Sequence, residues 1–169
     1  MKEEFKEVSI RGRVGFAILC FESFIEIQDS SNLQEWKYLL KKLWEFTKLK
    51  FVDDWLDLVS AVMPLSVLED PFDPEEVITI DEYSFLKKLY ARSDPKILEL
   101  IEFIFKLATV ELYSEIKNYS PRTLDLLNDI IGVCKSANVK IPDVSLFKKF
   151  SITDSSGWGF PFDRSDVFK

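Results

Sequence analysis

Residues 95–112, PKILELIEFIFKLATVEL, are apolar around most of a helical circumference. Four charged residues interrupt its apolar part, residues 97–112: Glu99, Glu102, Lys106 and Glu111. It is therefore too polar to cross a membrane, which takes about 20 predominantly apolar residues. Asp94 and Pro95 form a typical helix start, because proline at the first helical position loses no hydrogen bond. The pattern predicts a helix from Pro95 to about Asn118 at the centre of a helical bundle.

Apolar residues spaced by three and four positions predict five further helices around this one. Their predicted bounds are about 5–28, 31–48, 52–63, 79–92 and 120–137. Gly12 and Gly15 weaken the first helix, whereas Ser31 with Gln34 and Thr79 with Glu82 have the spacing of capping boxes. Residues 64–80 contain three prolines and read as an irregular connection. No stretch alternates like a strand, so the predicted fold class is all-α, an irregular single-domain bundle of about six helices with an irregular C-terminal tail.

The predicted division is a helical domain over residues 1–150 and a tail over residues 151–169 packed on it. The tail contains SGWGFPFD, residues 156–163, in which Trp158, Phe160 and Phe162 alternate with glycine and proline. Exposing three rings to water is unfavourable, so they are expected to cover the core. The alternative is a lip that contacts a partner.

The composition excludes several kinds of active site. The chain has 169 residues, a net charge of −7, two cysteines and no histidine. Without histidine, no Ser-His-Asp or Cys-His arrangement can form, and the commonest metal ligand is missing. The phosphate-binding and dinucleotide-binding glycine motifs are absent as well. The sequence therefore predicts no enzymatic activity, no cofactor and no metal site.

The charge balance and the N-terminus bear on location and partners. An acidic chain without a basic face is not expected to bind nucleic acid, and the lysines of the second helix, Lys37 to Lys50, read as its solvated side. The N-terminus MKEEFKE lacks the apolar run of a secretory signal. We expect a cytoplasmic protein without a membrane segment; the sequence does not specify its oligomeric state.

Charge is distributed unevenly along the chain. Residues 51–86 contain ten carboxylates and no Lys or Arg, so this segment carries −10 while the other 133 residues sum to +3. Such a block creates a negative potential unless basic residues from elsewhere fold against it. It is either a solvated acidic surface that favours solubility or a surface that attracts a basic protein.

The predicted partner-binding residues combine these carboxylates with two aromatic anchors. They are Asp53, Asp54, Trp55, Asp57, Glu69, Asp70, Phe72, Asp73, Glu75 and Glu76. Charges steer the encounter with a basic partner, and buried rings supply most of the affinity. Nucleases are common basic partners because their substrate is a polyanion.

A small acidic all-helical chain with the segment Phe16-Ala17-Ile18-Leu19-Cys20-Phe21-Glu22 and a Trp158-Gly159 tail resembles the helical immunity proteins of bacterial polymorphic-toxin systems. The resemblance implies a protein that binds and neutralises a cognate toxin, often a nuclease. It implies no particular site residue.

Two alternatives remain open at this stage. The first is a helical adaptor or scaffold module that binds through its C-terminal tail. The second is an enzyme that holds Mg or Mn with paired carboxylates at helical spacing, such as Glu22 with Glu26 or Asp53 with Asp57.

Overall fold

The structure is a computed structural model that describes residues 2–169, with only the backbone for Lys2. Met1, at which the predicted helical domain begins, lies outside the described residues. The α-helices are α1 (Ile10–Gln28), α2 (Leu33–Lys48), α3 (Val52–Val59), α4 (Pro64–Glu69), α5 (Ile80–Arg92), α6 (Pro95–Thr109) and α7 (Pro121–Ser136). Six of them have eight residues or more, which confirms the predicted all-α bundle of about six helices. Within residues 2–169 there is no strand, only an isolated bridge between Val8 and Ser151.

The central helix is α1 rather than the predicted α6. Every residue from Ile10 to Phe21 is buried, and α1 packs against α2, α6 and α7. The side chain of Ser9 caps α1 by accepting a hydrogen bond from the Gly12 amide. A helix buried on all sides has no polar face, so its sequence lacks the amphipathic pattern that outer helices show.

Close packing explains why α1 contains glycine at positions 12 and 15, although glycine has a low helix propensity. A Cβ added at Gly12 would lie 2.6 Å from Val8 Cγ1, and one added at Gly15 would lie 3.1 Å from Phe162 Cζ. The two glycines therefore let the chain before α1 and the C-terminal tail approach the helix backbone. The helix runs through both positions because packing outweighs their low helix propensity.

The predicted extension of α6 to Asn118 is wrong, because the helix ends at Thr109. Beyond it, Glu111 is buried, accepts a 2.6 Å hydrogen bond from the Ser120 hydroxyl and pairs with Arg122 at 2.7 Å. These contacts draw the chain back toward the start of α7. Residues 110–120 accordingly form turns, with left-handed backbone angles at Tyr113 and at residues 118–120.

Four other predicted features differ from the structure. The first helix, predicted from about Phe5, begins at Ile10. The helix predicted to reach Met63 ends at Val59 and continues as a 3₁₀ turn over residues 60–62. The connection predicted to be irregular contains α4, with Pro64 at its first position. The box predicted at Ser31 does not form, because residues 30–32 make a 3₁₀ turn and α2 begins only at Leu33. The box at Thr79 is present, and Asp94 and Ser120 cap α6 and α7.

Two arginines of α1 are buried and bind carbonyl groups from distant parts of the chain. Arg13 donates to the carbonyls of Phe5, Lys6 and Tyr119 and to the Thr123 hydroxyl. Arg11 donates to the carbonyls of Phe46, Lys50 and Gly159. Burial lowers the pKa of each guanidinium to about 10. These side chains hold the N-terminal turn, the end of α2 and the tail against the central helix.

Residues 151–169 fold against the bundle. The Arg11 amide donates to the Trp158 carbonyl at 3.1 Å, and the Phe162 amide donates to the Thr47 carbonyl at 2.8 Å. Phe162 is buried and stacks on Phe150 with ring centroids 3.9 Å apart. Phe160 alone of the three tail rings is exposed, at 66 %.

Candidate functional site

Eight of the ten predicted partner-binding residues are carboxylates, and all eight are exposed. Three project from α3, two lie at the end of α4, and three lie in the connection that leads to α5. We call this set the acidic face: Asp53, Asp54, Asp57, Glu69, Asp70, Asp73, Glu75 and Glu76.

Basic residues do not neutralise the acidic face. Among the side chains of residues 3–169, no ion pair within 4.0 Å involves any of its eight carboxylates. Lys87 Nζ donates to Tyr83 Oη at 2.9 Å, and the Tyr83 hydroxyl donates to the carbonyl of Asp70, not to its carboxylate. Lys50 lines a cleft with Asp53 without forming an ion pair with it. The negative potential expected from the sequence therefore faces water.

A cleft of about 310 Å³ opens within the acidic face. Asp70, Asp73 and Glu76 contribute carboxylates to its lining, and Phe72 and Ile78 contribute apolar surface. We call it the Phe72 cleft. It combines three like charges with an apolar wall, an arrangement that suits the apolar stem and charged head of a lysine or arginine side chain.

The connection that forms this cleft is fixed to α5 through Tyr83. The Tyr83 hydroxyl donates to the Asp70 carbonyl at 2.8 Å, and its ring packs against Phe72 with centroids 5.5 Å apart. The capping box of Thr79 and Glu82 sets the start of α5, and Glu82 also accepts a 2.7 Å hydrogen bond from Tyr38. Glu82 is thus engaged in the fold, unlike the acidic face.

The two predicted aromatic anchors have different positions. Trp55 is 0 % exposed, packs edge-on against Phe46 and donates from its indole nitrogen to the Lys42 carbonyl at 2.8 Å. The prediction that Trp55 contacts a partner is wrong, because this side chain belongs to the core. Phe72 is half-buried and remains accessible from its cleft.

The same segment also exposes large apolar side chains that are not among the predicted partner-binding residues. The structure exposes ten large apolar side chains among the residues it describes, and five lie in residues 51–86: Phe51, Leu58, Leu65, Val77 and Ile80. Helical spacing gives no signal for Leu58 and Leu65, because apolar residues cover more of α3 and α4 than the core can bury. The segment therefore exposes both carboxylates and apolar groups.

The carboxylate pairs that suggested a metal site are not gathered into one. Within residues 2–169, no group of three or more Cys, Asp or Glu residues is placed to hold a metal ion. Glu22 is used structurally, because it accepts hydrogen bonds from the Trp44 indole at 2.7 Å and from Arg164.

The fold brings together the two cysteines, which are 114 positions apart in the sequence. Cys20 in α1 and Cys134 in α7 are both free and fully buried, and they lie close enough for each thiol to affect the pKa of the other. Burial raises the pKa of the Cys20 thiol, which keeps it protonated and unreactive.

The tail does not form a separate lip. Phe162 is buried and Trp158 half-buried, so deletion of residues 151–169 would uncover the core as well as remove any binding surface. A sharper test of the adaptor alternative is the single change Phe160→Ser at the exposed ring.

In the part of the chain that the structure describes, no helix has the length and apolar character needed to cross a bilayer. Comparison of the chain with protein-family models, with curated proteins and with solved structures gives no match.

Proposed function

We propose that this chain is a non-enzymatic binding protein that neutralises a basic protein partner through its acidic face. The partner class that fits best is a bacterial toxin domain such as a nuclease. The observation that supports the proposal is a set of eight exposed carboxylates without an ion pair among the side chains of residues 3–169, three of which line a cleft with an apolar wall.

The field of such a surface acts before contact. Carboxylates that are not paired within their own protein attract a positively charged partner over about one Debye length, roughly 8 Å at physiological salt. Nucleases that bind a polyanion present Lys and Arg around their substrate site, so the same groups would meet the acidic face. Covering that site blocks the substrate without any chemical step.

In this proposal, the exposed apolar groups of residues 51–86 supply most of the affinity for the partner. Long-range attraction raises the association rate, whereas affinity depends on desolvated anchors at the centre of an interface. Phe72 in its cleft and the exposed Leu65 and Val77 are the anchors in this proposal, in place of the buried Trp55. A partner lysine or arginine in the Phe72 cleft would reach Asp70, Asp73 and Glu76.

The proposal locates the protein in the cytoplasm, where a producing cell needs protection from its own toxin. Two free buried cysteines suit a reducing compartment.

The test begins with a candidate partner. A large secreted toxin encoded next to this chain would supply one through its C-terminal domain, which can be purified and assayed for its own activity. We expect the wild-type chain to inhibit that activity at equal stoichiometry, and Asp70→Lys/Asp73→Lys/Glu76→Lys to weaken inhibition about 100-fold or more, because three attractive contacts become repulsive.

A matched control carries the same charge change elsewhere. Glu7→Lys/Glu99→Lys/Asp129→Lys reverses three exposed carboxylates outside the acidic face and should inhibit like the wild type. Circular dichroism should give the same helical spectrum for all variants. Equal loss of inhibition in both triple variants would assign the effect to net charge and overturn the proposed surface.

A further inference from the structure

A second cleft, of about 300 Å³, lies at the start of α3 and has the opposite charge. Its lining includes Arg11 and Lys50, with Asp53 as its one carboxylate, so the lining carries a net charge of +1. We call it the Arg11 cleft. In a chain with a net charge of −7, a cationic recess is unexpected and calls for a physical reason.

Arg11 is a buried cation without a carboxylate partner. Arg11 is 3 % exposed, and no ion pair among the side chains of residues 3–169 includes it. Its three hydrogen bonds go to backbone carbonyls and use three of its five N–H groups, which leaves two donors. Burial accounts for the lowered pKa of Arg11, with no carboxylate raising it, whereas Glu111 raises that of Arg13.

The first turn of α3 adds further donors to the Arg11 cleft. Phe51 is the N-cap residue and has no side-chain oxygen to accept a hydrogen bond from the helix. In the described part of the chain, the amides of Val52, Asp53 and Asp54 donate to no acceptor outside α3. Free amides at a helix start, with the positive end of the helix dipole, form a favourable environment for an anion.

The walls of the Arg11 cleft are aromatic and strained. Tyr113 is 87 % exposed, Phe51 is also exposed and Trp158 is half-buried. Tyr113 and Ser155 both have left-handed backbone angles, with φ of 63° and 45°. Non-glycine residues seldom adopt these angles, and those that do cluster at ligand sites.

We propose that the Arg11 cleft binds a carboxylate carried on a flat apolar group. The carboxylate would accept hydrogen bonds from the remaining N–H groups of Arg11 and from the first amides of α3, while the apolar group packs against the rings. A lining with one net positive charge matches a singly charged carboxylate better than a doubly charged phosphate. This inference does not depend on the proposed basic partner.

Phenylacetate is a suitable probe, with phenylacetamide and inorganic phosphate as comparisons. We expect saturable binding of phenylacetate with a Kd of about 1 mM. In NMR spectra the largest shifts should occur at the Trp158 indole and at the amides of Val52 to Asp54. Phenylacetamide should bind about 10-fold or more weakly, because the charged hydrogen bonds are lost.

Two substitutions with opposite expected effects separate binding from misfolding. Lys50→Gln should weaken phenylacetate binding about 2- to 5-fold, and Asp53→Asn should tighten it by a similar factor, since the latter removes the repelling carboxylate. Lys135→Gln, the same change at an exposed lysine of α7, should leave binding unchanged. Arg11 itself is unsuitable as the first variant, because it holds three chain segments.

The source of the carboxylate is distinguished by acetyl-Gly-Gly-Phe with a free C-terminus and by its C-terminal amide. If the free peptide binds more tightly than phenylacetate, the site recognises a chain terminus or acidic side chain of a protein; if it binds no better, the site takes a small free acid. The proposal is overturned if phenylacetate and phenylacetamide bind equally, if the shifts map to other residues, or if Asp53→Asn weakens binding.

Discussion

At the scale of single residues, the polar groups buried in the core are the most sensitive points of this fold. The Tyr90 side chain is 1 % exposed and its hydroxyl donates to the Val62 carbonyl at 2.7 Å, which joins α5 to the turn before α4. Burial raises the pKa of Tyr90 above its ordinary value near 10. The folded state therefore keeps the phenol protonated at pH values at which the unfolded chain loses its proton.

This difference predicts an alkaline loss of stability. Tyr90 contributes its full stabilisation of the folded state below about pH 10. Above that pH, the unfolded state binds fewer protons than the folded state, so the free energy of unfolding falls by up to about 1.4 kcal/mol per pH unit. Tyr90→Phe should cost about 1 kcal/mol at pH 7, because it leaves the Val62 carbonyl without its donor, and should flatten the fall above pH 10. Urea unfolding at pH 7 and at several values from pH 9.5 to 11.5 measures both effects.

Tyr113→Phe provides the control, because that side chain is 87 % exposed. It should match the wild type at every pH. The buried arginines act in the opposite direction in this range, but they are common to all three proteins and cancel in the comparison. A Tyr90→Phe protein that loses stability above pH 10 as steeply as the wild type would contradict the assignment.

At the scale of helices, local capping signals predicted three of the starts, whereas contacts between distant residues set bounds that the sequence did not predict. Thr79, Asp94 and Ser120 cap α5, α6 and α7 because each cap needs only residues within three positions of it. The end of α6 at Thr109 depends on Glu111 binding groups at the start of α7, a contact that helical periodicity cannot contain. The central position of α1 was missed for a similar reason, since a fully buried helix looks less amphipathic than its neighbours.

The glycines of two helices yield a matched prediction. A Cβ at Gly12 of α1 would meet Val8 at 2.6 Å, whereas one at Gly132 of α7 would meet nothing within 4 Å. Gly132→Ala should stabilise the protein by about 0.5–1 kcal/mol through helix propensity, and Gly12→Ala should destabilise it by about 1–3 kcal/mol through overpacking. Thermal and urea unfolding of the two variants measure the difference.

The two glycine variants are each other's control, since each replaces a glycine by alanine within an α-helix and the sites differ in the space around the added Cβ. If Gly12→Ala proves as stable as the wild type, the close approach of Val8 to α1 is not a constraint on the fold. If Gly132→Ala destabilises, then propensity does not govern the exposed side of α7.

At the scale of the whole molecule, the sequence predicted where charge accumulates but not which apolar groups accompany it. The eight carboxylates of the acidic face are exposed as their density suggested, since carboxylates are rarely buried without a partner. Trp55 was misplaced because a tryptophan on an amphipathic helix of two turns can face either the core or a partner. Trp55 faces the core because it packs against Phe46 and donates to the Lys42 carbonyl. Both partners lie on α2, so the sequence of α3 alone does not determine the orientation of this side chain.

Association kinetics test this charge distribution. Asp53→Lys/Asp54→Lys/Asp57→Lys changes the net charge from −7 to −1, since each reversal adds two charges. With the cognate basic partner, we expect the association rate constant to fall about 10-fold or more at low salt and its salt dependence to flatten. Stopped-flow measurements between roughly 20 and 300 mM salt, over which the Debye length falls from about 20 Å to about 6 Å, give both quantities.

The reversal at residues 7, 99 and 129 described above is the control for this measurement, because it changes the net charge equally. It should slow association less than the reversal on α3. An unchanged association rate constant in the α3 variant would remove that helix from the encounter surface.

The contacts of α1 with residues 158–167 also bear on when the protein can fold during synthesis. Phe162 closes the side of the central helix at Gly15, and the carbonyls of Trp158 and Gly159 are bound by Arg11. A nascent chain that has emerged only as far as α7 therefore holds its innermost helix with one flank open to water. The contacts that complete the interior are made by residues synthesised more than a hundred positions later, so a chain truncated before them would lack part of its core.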